Sequence, residues 1–451
     1  MKIHILGICG TFMGSIAVLA KQLGHEVSGS DANVYPPMST QLQSQGIELM
    51  DGYLASHLSP APDMIVVGNT VSRGNIAVEY LLNEGLPFQS GPEWLAQHVL
   101  KNRHVLAVAG THGKTTTSSM LAWILEYAGK SPGFLIGGIA ENFGISARYS
   151  ESNLFVVEAD EYDTAFFDKR SKFIHYHPRT LLINNIEYDH ADIFENIEAI
   201  RREFNHMVRI VPANGQIVRH AHDKEIDQVM AMGCWTPTVT FGGENGQWSA
   251  QPEQDDFSCF NVCFEGERLA QLTWSLFGQH NAENALAAIA CAAHVDVEAH
   301  SACAALAEFT SVKRRLQVLG CVKGVTVYDD FAHHPTAIAA TLSALKARVG
   351  PKVRIIAVME PRSNTMKMGV HRDTLATALA VADLVLVYEP AGLAWDLQQS
   401  LAELQGKCRV FNKVEPIIEA LVKDIRDGDQ ILIMSNGDFQ GIHQDLLNAL
   451  R

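Results

Sequence analysis

Long apolar runs are missing from this chain. None approaches the ~18 residues a membrane span needs, and the longest lies near Ala285–Ala293. Paired cysteines are missing too. The eight cysteines are scattered, and the nearest two, Cys259 and Cys263, stand four apart in a β-like stretch, so free or buried thiols are expected rather than a metal knuckle or disulfide framework. Positive charge is scarce: 35 Lys and Arg against 50 Asp and Glu leave a formal net charge of −15. That balance argues against general binding to nucleic acid or to an anionic membrane. An anionic substrate must then be held by local lysines, arginines, helix ends and metal. There is no low-complexity tract, internal repeat or signal-peptide pattern, and a reducing cytoplasm is the expected compartment.

Against these absences stands one dense signal, Gly110-Thr111-His112-Gly113-Lys114-Thr115-Thr116-Thr117. It follows the apolar run Val105–Ala109 and precedes a helical pattern from Ser118 to Tyr127. A strand, a glycine-rich turn and Lys-Thr at a helix start together make a cradle for nucleotide phosphates. Glycines admit backbone N–H groups, the helix end favours negative charge, Lys114 reaches phosphate oxygens, and Thr115 can ligate Mg²⁺. The turn is shorter than the usual phosphate loop, whose first glycine would fall at Val108. The reading is a nucleoside triphosphate site.

A length of 451 residues predicts about three domains. The fold class expected is α/β: an N-terminal Rossmann-like domain over 1–102, a central P-loop ATPase-type mixed sheet over 103–312, and a C-terminal Rossmann-like α/β domain over 313–451. Strand and helix patterns alternate through the first, at Lys2–Leu6, Met13–Leu23, Glu26–Ser30 and Met64–Gly68. The second has strands at Val105–Ala109, Leu154–Val157 and Leu181–Asn184, a helix near Ile197–Val208, a β-rich stretch over Val239–Leu276, and alanine-rich helices at Ala282–Ala293 and Ser301–Phe309. Strands at Val325–Tyr328, Arg354–Met359, Leu384–Val387 and Gln430–Met434 mark the third. Short linkers near Lys101–His104 and Thr310–Arg315 suggest hinges around a shared cleft.

Two further strand ends carry polar groups. Glu158 leaves a strand beside the phosphate loop, where a carboxylate can hold Mg²⁺; Asp160, Glu161 and Asp163 beyond it read as a solvated acidic loop, the commoner fate of a charge run. In Asn184-Asn185-Ile186-Glu187-Tyr188-Asp189-His190 the imidazole is structural, a ligand of a second divalent ion, or a group that orients a carboxylate. His280 and Asn281 start a helix, with helix capping and adenine contact as the competing accounts of Asn281. Gly7-Ile8-Cys9-Gly10-Thr11-Phe12-Met13-Gly14, with Asp31 after the next strand, imitates a dinucleotide fingerprint. It serves a nicotinamide dinucleotide, the diphosphate of a nucleotide-linked substrate, or a structural turn. The separate triphosphate loop favours the second.

This set resembles the Mur ligase family, amino-acid and peptide ligases of murein synthesis with folylpolyglutamate synthases as relatives. The matching motifs are Gly110–Thr117, Glu158–Asp163, Asn185–His190, Gly278–Asn284 and Tyr328-Asp329-Asp330-Phe331-Ala332-His333-His334-Pro335, in family order. The resemblance implies an ADP-forming ligase that activates an acid as its acyl phosphate. Gly110, Thr111, His112, Gly113, Lys114, Thr115 and Thr116 would hold the phosphates. Thr115 and Glu158 would bind Mg²⁺, and His190 a second ion, which makes Lys114, Glu158 and His190 the catalytic set. His280 and Asn281 would approach adenine, with Arg315 and Asp330 closing over the nucleotide. Gly10, Thr11 and Asp31 would face a uridine diphosphate group.

Within the family the chain looks most like the ligases that add alanine to UDP-N-acetylmuramate, and Glu187–Ile193 lacks the carbamylated lysine of other branches. It departs from them at Met359–Lys367 and Met434–His443. Both segments look like the branch that joins UDP-N-acetylmuramate to the tripeptide L-alanyl-γ-D-glutamyl-meso-diaminopimelate in murein recycling. Arg362, Ser363, Asn364 and Lys367 then become candidate peptide contacts. Addition of free L-alanine is the alternative within the family, and nicotinamide-dependent oxidation the alternative outside it. The substrates implied are ATP, UDP-N-acetylmuramate and the tripeptide, with no nucleic acid or membrane partner; monomer and homodimer both remain compatible.

Overall fold

The computed structural model describes residues 1–451 except Pro36, Pro37 and Glu244. Among the described residues three large sheets and one two-stranded hairpin organise it. The first is five-stranded and wholly parallel, in the order Glu48–Asp51, Glu26–Asp31, Lys2–Leu6, Met64–Val67, Phe88–Ser90. The order reverses at Lys2–Leu6, so the crevice for a ligand lies at the carboxyl end of that strand, where Gly7–Gly14 begins.

The second sheet has ten strands. Its parallel heart is Gln216–His220, Thr180–Ile183, His104–Ala109, Leu154–Ala159 and Gly133–Leu135. Val105 through Ala109 are all buried, as expected of a strand covered by helices on both faces. Helix Lys114–Tyr127 packs with Gln279–Ala293 and Ala299–Ala307 over one face. The alanines of Ala282–Ala292 permit that close approach. The β-rich stretch is an extension in which Trp248–Pro252, Cys259–Phe264 and Glu267–Thr273 pair antiparallel. All eight cysteines are free.

The third sheet has six strands, parallel except for the leading antiparallel pair Gln317–Val322 and Val325–Asp330. Sequence patterns missed several short strands, among them the hairpin Asp163–Ala165 with Asp168–Ser171. Its Asp-Lys-Arg-Ser strand has no apolar alternation to reveal it.

The first and second units share one apolar core, from Ile3 and Ile16 through to Val157 and Phe204. The third has its own cores on the two faces of its sheet, joined from outside by Phe277. Its contacts with the second unit are largely polar: Thr365 with Asp189, Asn364 with Asp192, Thr336 with Glu187 and Arg348 with Asp256. The joint contains left-handed Ser311 (φ 76°), Arg314 (φ 62°) and Leu316 (φ 48°). A polar interface behind a strained joint suits a unit that moves.

Candidate active site

Strand His104–Ala109 ends on Gly110 (φ 137°), and Gly113 (φ 78°) precedes helix Lys114–Tyr127. Only glycine fits at 113. A Cβ there would lie 2.6 Å from both Asn184 Nδ2 and Asn284 Oδ1, which themselves hydrogen-bond at 3.0 Å. Asn185 holds the turn open: its Oδ1 accepts from the His112 N–H at 2.7 Å and its backbone oxygen from the Thr111 N–H at 3.0 Å. The first N–H groups of the helix, including those of Thr115 and Thr116, have no intrahelical acceptor and face an anion by default.

Lys114 is buried at the head of the helix. Its ammonium donates to Gly110 O at 2.7 Å and Glu161 Oε2 at 2.9 Å, with Asp160 at 4.0 Å. Burial works to lower its pKa, but Glu161 and Asp160 win and raise it. Conversely, burial works to raise Glu161, yet Lys114 and His190 hold it down to about 2. The solvated-loop reading therefore fails for Glu161, which is 3% exposed.

Glu158 lies at the adjacent strand end. Its Oε1 accepts from Thr115 Oγ1 at 2.8 Å and its Oε2 from the Gly137 N–H at 2.6 Å. Burial, reinforced by Asp160, raises its pKa. A hydroxyl and a carboxylate meeting at the head of a phosphate loop are hard oxygen donors that suit Mg²⁺. His190 stands beside a carboxylate: its Nε2 lies 3.3 Å from Glu161 Oε1. Its backbone is left-handed (φ 52°), and Glu161 and Asp189 raise its pKa against burial.

The loop Asn185–His190 also reaches the third unit. Glu187 accepts from Thr336 Oγ1 at 2.9 Å, and its Oε2 lies 3.0 Å from His112 Nε2 and 3.1 Å from His334 Nδ1. Donor atoms of His112, Glu187 and His334 all lie within 4.8 Å of one another. Asp189 accepts from Thr365 Oγ1 at 2.6 Å. Burial lowers His333 to about 4 and His334 to about 3, so both are neutral at pH 7.

Lys114, Thr115, Glu158, Glu187, Asp189 and His190 line one cleft of about 860 Å³ between the second and third units, with His280, Asn281, Arg315 and Asp330 along its wall. Asp330 accepts from the Leu316 and Ala332 N–H groups at 2.7 and 2.8 Å, which fixes the chain beside Arg315. Arg315 lies over the Phe331 ring. Asn281 does not cap its helix: Gly278 (φ 93°) occupies that position and Asn281 Nδ2 donates to Phe277 O at 2.8 Å. His280 is lowered to about 4 by burial.

In the first unit Gly10 and Thr11 are exposed at the start of helix Thr11–Gln22. Asp31 accepts from the Cys9 and Asn33 N–H groups, both at 2.9 Å, and so fastens the glycine loop itself. Of the residues expected to grip a peptide, Arg362 pairs with Asp438 at 2.7 Å, Ser363 caps helix Asn364–Lys367, and Asn364 reaches Asp192 at 2.9 Å. Lys367 is half-buried. Sequence reasoning missed Glu161 as the Lys114 partner, together with Asn185, Glu187, Thr365 and Asn284. The polar run Asn184–His190 was the available signal for two of these.

The fold and this cleft define a ligase class. Residues 2–103 match the Mur ligase family catalytic domain, 108–292 the Mur ligase middle domain, and 314–437 the Mur ligase glutamate ligase domain. The chain belongs to the Mur ligase family. It is 55% identical over 450 residues to the UDP-N-acetylmuramate--L-alanyl-gamma-D-glutamyl-meso-2,6-diaminoheptandioate ligase of Escherichia coli, covering 100% of this chain and 98% of that one. A UDP-N-acetylmuramate--L-alanine ligase of Syntrophomonas wolfei is 32% identical, covering 99% and 97%. A crystal structure of a murein peptide ligase from Psychrobacter arcticus superposes with a TM-score of 0.75 at 48% identity, over 100% of this chain and 98% of that one.

Proposed function

We propose that this chain joins the lactyl carboxylate of UDP-N-acetylmuramate to the α-amine of L-alanyl-γ-D-glutamyl-meso-diaminopimelate, converting ATP to ADP and phosphate, in the recycling of murein peptides. The observation that carries this choice is the full-length identity of 55% to a relative named for that reaction, against 32% for one named for alanine. The reaction belongs in the cytoplasm, where ATP is supplied and thiols stay free.

A free carboxylate is a poor acylating agent, so phosphate is installed first. The carboxylate oxygen attacks the γ-phosphorus and ADP leaves; the amine then attacks the acyl carbon, and phosphate leaves with that oxygen. Lys114 and the loop amides from Gly110 to Thr116 hold the β- and γ-phosphates, and the transfer needs charge neutralisation more than covalent help. To do so Lys114 exchanges Glu161 for phosphate. Thr115 and Glu158 would hold Mg²⁺, with His190 at a second ion; bound there, the metal neutralises charge on the phosphates. His280 and Asn281 face the adenine, and Arg315 and Asp330 close from the third unit. Gly10, Thr11 and Asp31 form the loop for the uridine diphosphate. Arg362, Ser363, Asn364 and Lys367 edge the peptide side, and the amine's proton passes to His333, His334 or water. Domain boundaries near residues 102 and 312 belong to the same reading, with Thr310–Arg315 as the hinge that shuts water out.

The test is ADP release from ATP and UDP-N-acetylmuramate with either the tripeptide or L-alanine. Turnover with the tripeptide is expected. Turnover with L-alanine alone would contradict the proposal.

A further inference from the structure

Lys172 is a lysine the chemistry above does not use. It is 4% exposed, at the base of the hairpin that follows Asp160. Its ammonium makes no hydrogen bond among the described residues, and the single carboxylate within 4.0 Å is Asp160, at 3.9 Å. Two rings flank it: Phe12, in the first turn of helix Thr11–Gln22, at 4.8 Å, and Tyr162, which lines the cleft, at 4.6 Å. Burial depresses its pKa although Asp160, Asp163 and Glu161 work the other way. A buried ammonium held by two aromatic faces and a distant carboxylate is under-paired, and burying such a charge is costly unless an anion completes it.

The surroundings say which anion. Asp160 sits between two lysines, with Oδ1 4.0 Å from Lys114 Nζ and Oδ2 3.9 Å from Lys172 Nζ. One ammonium heads the phosphate loop and the other lies over Phe12, in the first turn of the helix that follows the glycine loop of the first unit. Acyl phosphate formation brings two anions together, one phosphoryl and one carboxylate, to within about 3–3.5 Å of reacting contact. Two cations flanking one carboxylate, one at the phosphate loop and one against the first helix of the N-terminal unit, suit that meeting.

We infer that Lys172 binds the lactyl carboxylate of the sugar nucleotide and presents it to the γ-phosphate held by Lys114. This rests on the function proposed above. The ammonium takes one carboxylate oxygen as a charge-assisted hydrogen bond and leaves the other free to attack. Phe12 and Tyr162 keep water from competing for it.

The test compares binding of UDP-N-acetylmuramate with that of UDP-N-acetylglucosamine, which lacks the lactyl carboxylate, by calorimetry on the whole protein. Losing a charge-assisted hydrogen bond corresponds to about tenfold to hundredfold in affinity. Lys172→Met is expected to weaken UDP-N-acetylmuramate by that factor and to leave UDP-N-acetylglucosamine and the ATP KM within about twofold; Lys172→Arg is expected to recover part of the loss. Lys172→Gln makes the same comparison if a thermal melt shows the Met variant unfolded. Equal weakening of both sugar nucleotides, or a parallel rise in the ATP KM, would overturn the inference in favour of a scaffolding lysine; unchanged binding would overturn it outright. If the wild-type protein binds ATP but not UDP-N-acetylmuramate, the proposed function itself fails, and this inference with it.

Discussion

Glu161→Gln tests the charge arithmetic of the phosphate loop most sharply. Lys114 and Glu161 pair at 2.9 Å, with Glu161 3% exposed, and the amide is nearly isosteric, so packing survives while the counter-charge goes. Breaking a buried pair by removing one charge costs about 3–5 kcal/mol; Asp160, still 4.0 Å from the ammonium, argues for the lower end, about 3 kcal/mol. For a unit of this size that is a fall of roughly 6–12 °C in melting temperature. Triphosphate supplies the missing negative charge, so a non-hydrolysable ATP analogue with Mg²⁺ should recover much of the loss. The assay is thermal unfolding of both proteins with and without the analogue. The variant should melt lower alone and gain more on ligand addition. Equal gains in the two proteins would refute the claim that Glu161 and phosphate exchange at Lys114.

Glu158→Gln should raise the Mg²⁺ concentration needed for half-maximal ADP release about tenfold or more, because the amide removes an anionic donor beside Thr115; an unchanged Mg²⁺ titration would count against its role. Gly113→Ala should abolish nucleotide binding and destabilise the fold, since the left-handed backbone alone costs about 1–2 kcal/mol and the new methyl meets Asn184 and Asn284; a wild-type Kd for ATP would contradict this. Stability should fall as pH drops below 6.5. Burial lowers His280 and His333 to about 4, so their contribution is complete above 6.5 and lost down to about 4; Glu161 and Glu187, held to about 2, add a loss between about 4.5 and 2. Urea midpoints at pH 7.5 and pH 5 check the first window, and equal midpoints would contradict it.

The phosphate loop was legible because its parts are consecutive: a buried apolar strand, glycines that need left-handed backbone, and Lys-Thr at a helix start. The position of Glu158 beside that turn was legible for a similar reason, since it stands at the end of a second apolar run. The Lys114–Glu161 pair spans 47 positions and joins two strand ends of unknown mutual register, so the acidic run looked suited to solvent. His112, Glu187 and His334 come from three separate segments in two units, and no spacing in the chain brings them together. The capping account of Asn281 fails because Gly278 takes the capping position three residues earlier, which no polar side chain marks. The departure from the alanine-adding branch at Met359–Lys367 made Arg362 and Asn364 candidate peptide contacts; in this structure Arg362 pairs with Asp438 and Asn364 with Asp192.

The account depends on the acid being activated as an acyl phosphate within this cleft. Its most direct measurement uses UDP-N-acetylmuramate carrying isotopically heavy oxygen in the lactyl carboxylate, with ATP and the tripeptide, followed by mass analysis of the phosphate released. One heavy oxygen in that phosphate for each amide formed is the predicted result. Phosphate free of label, alongside amide product, would contradict it.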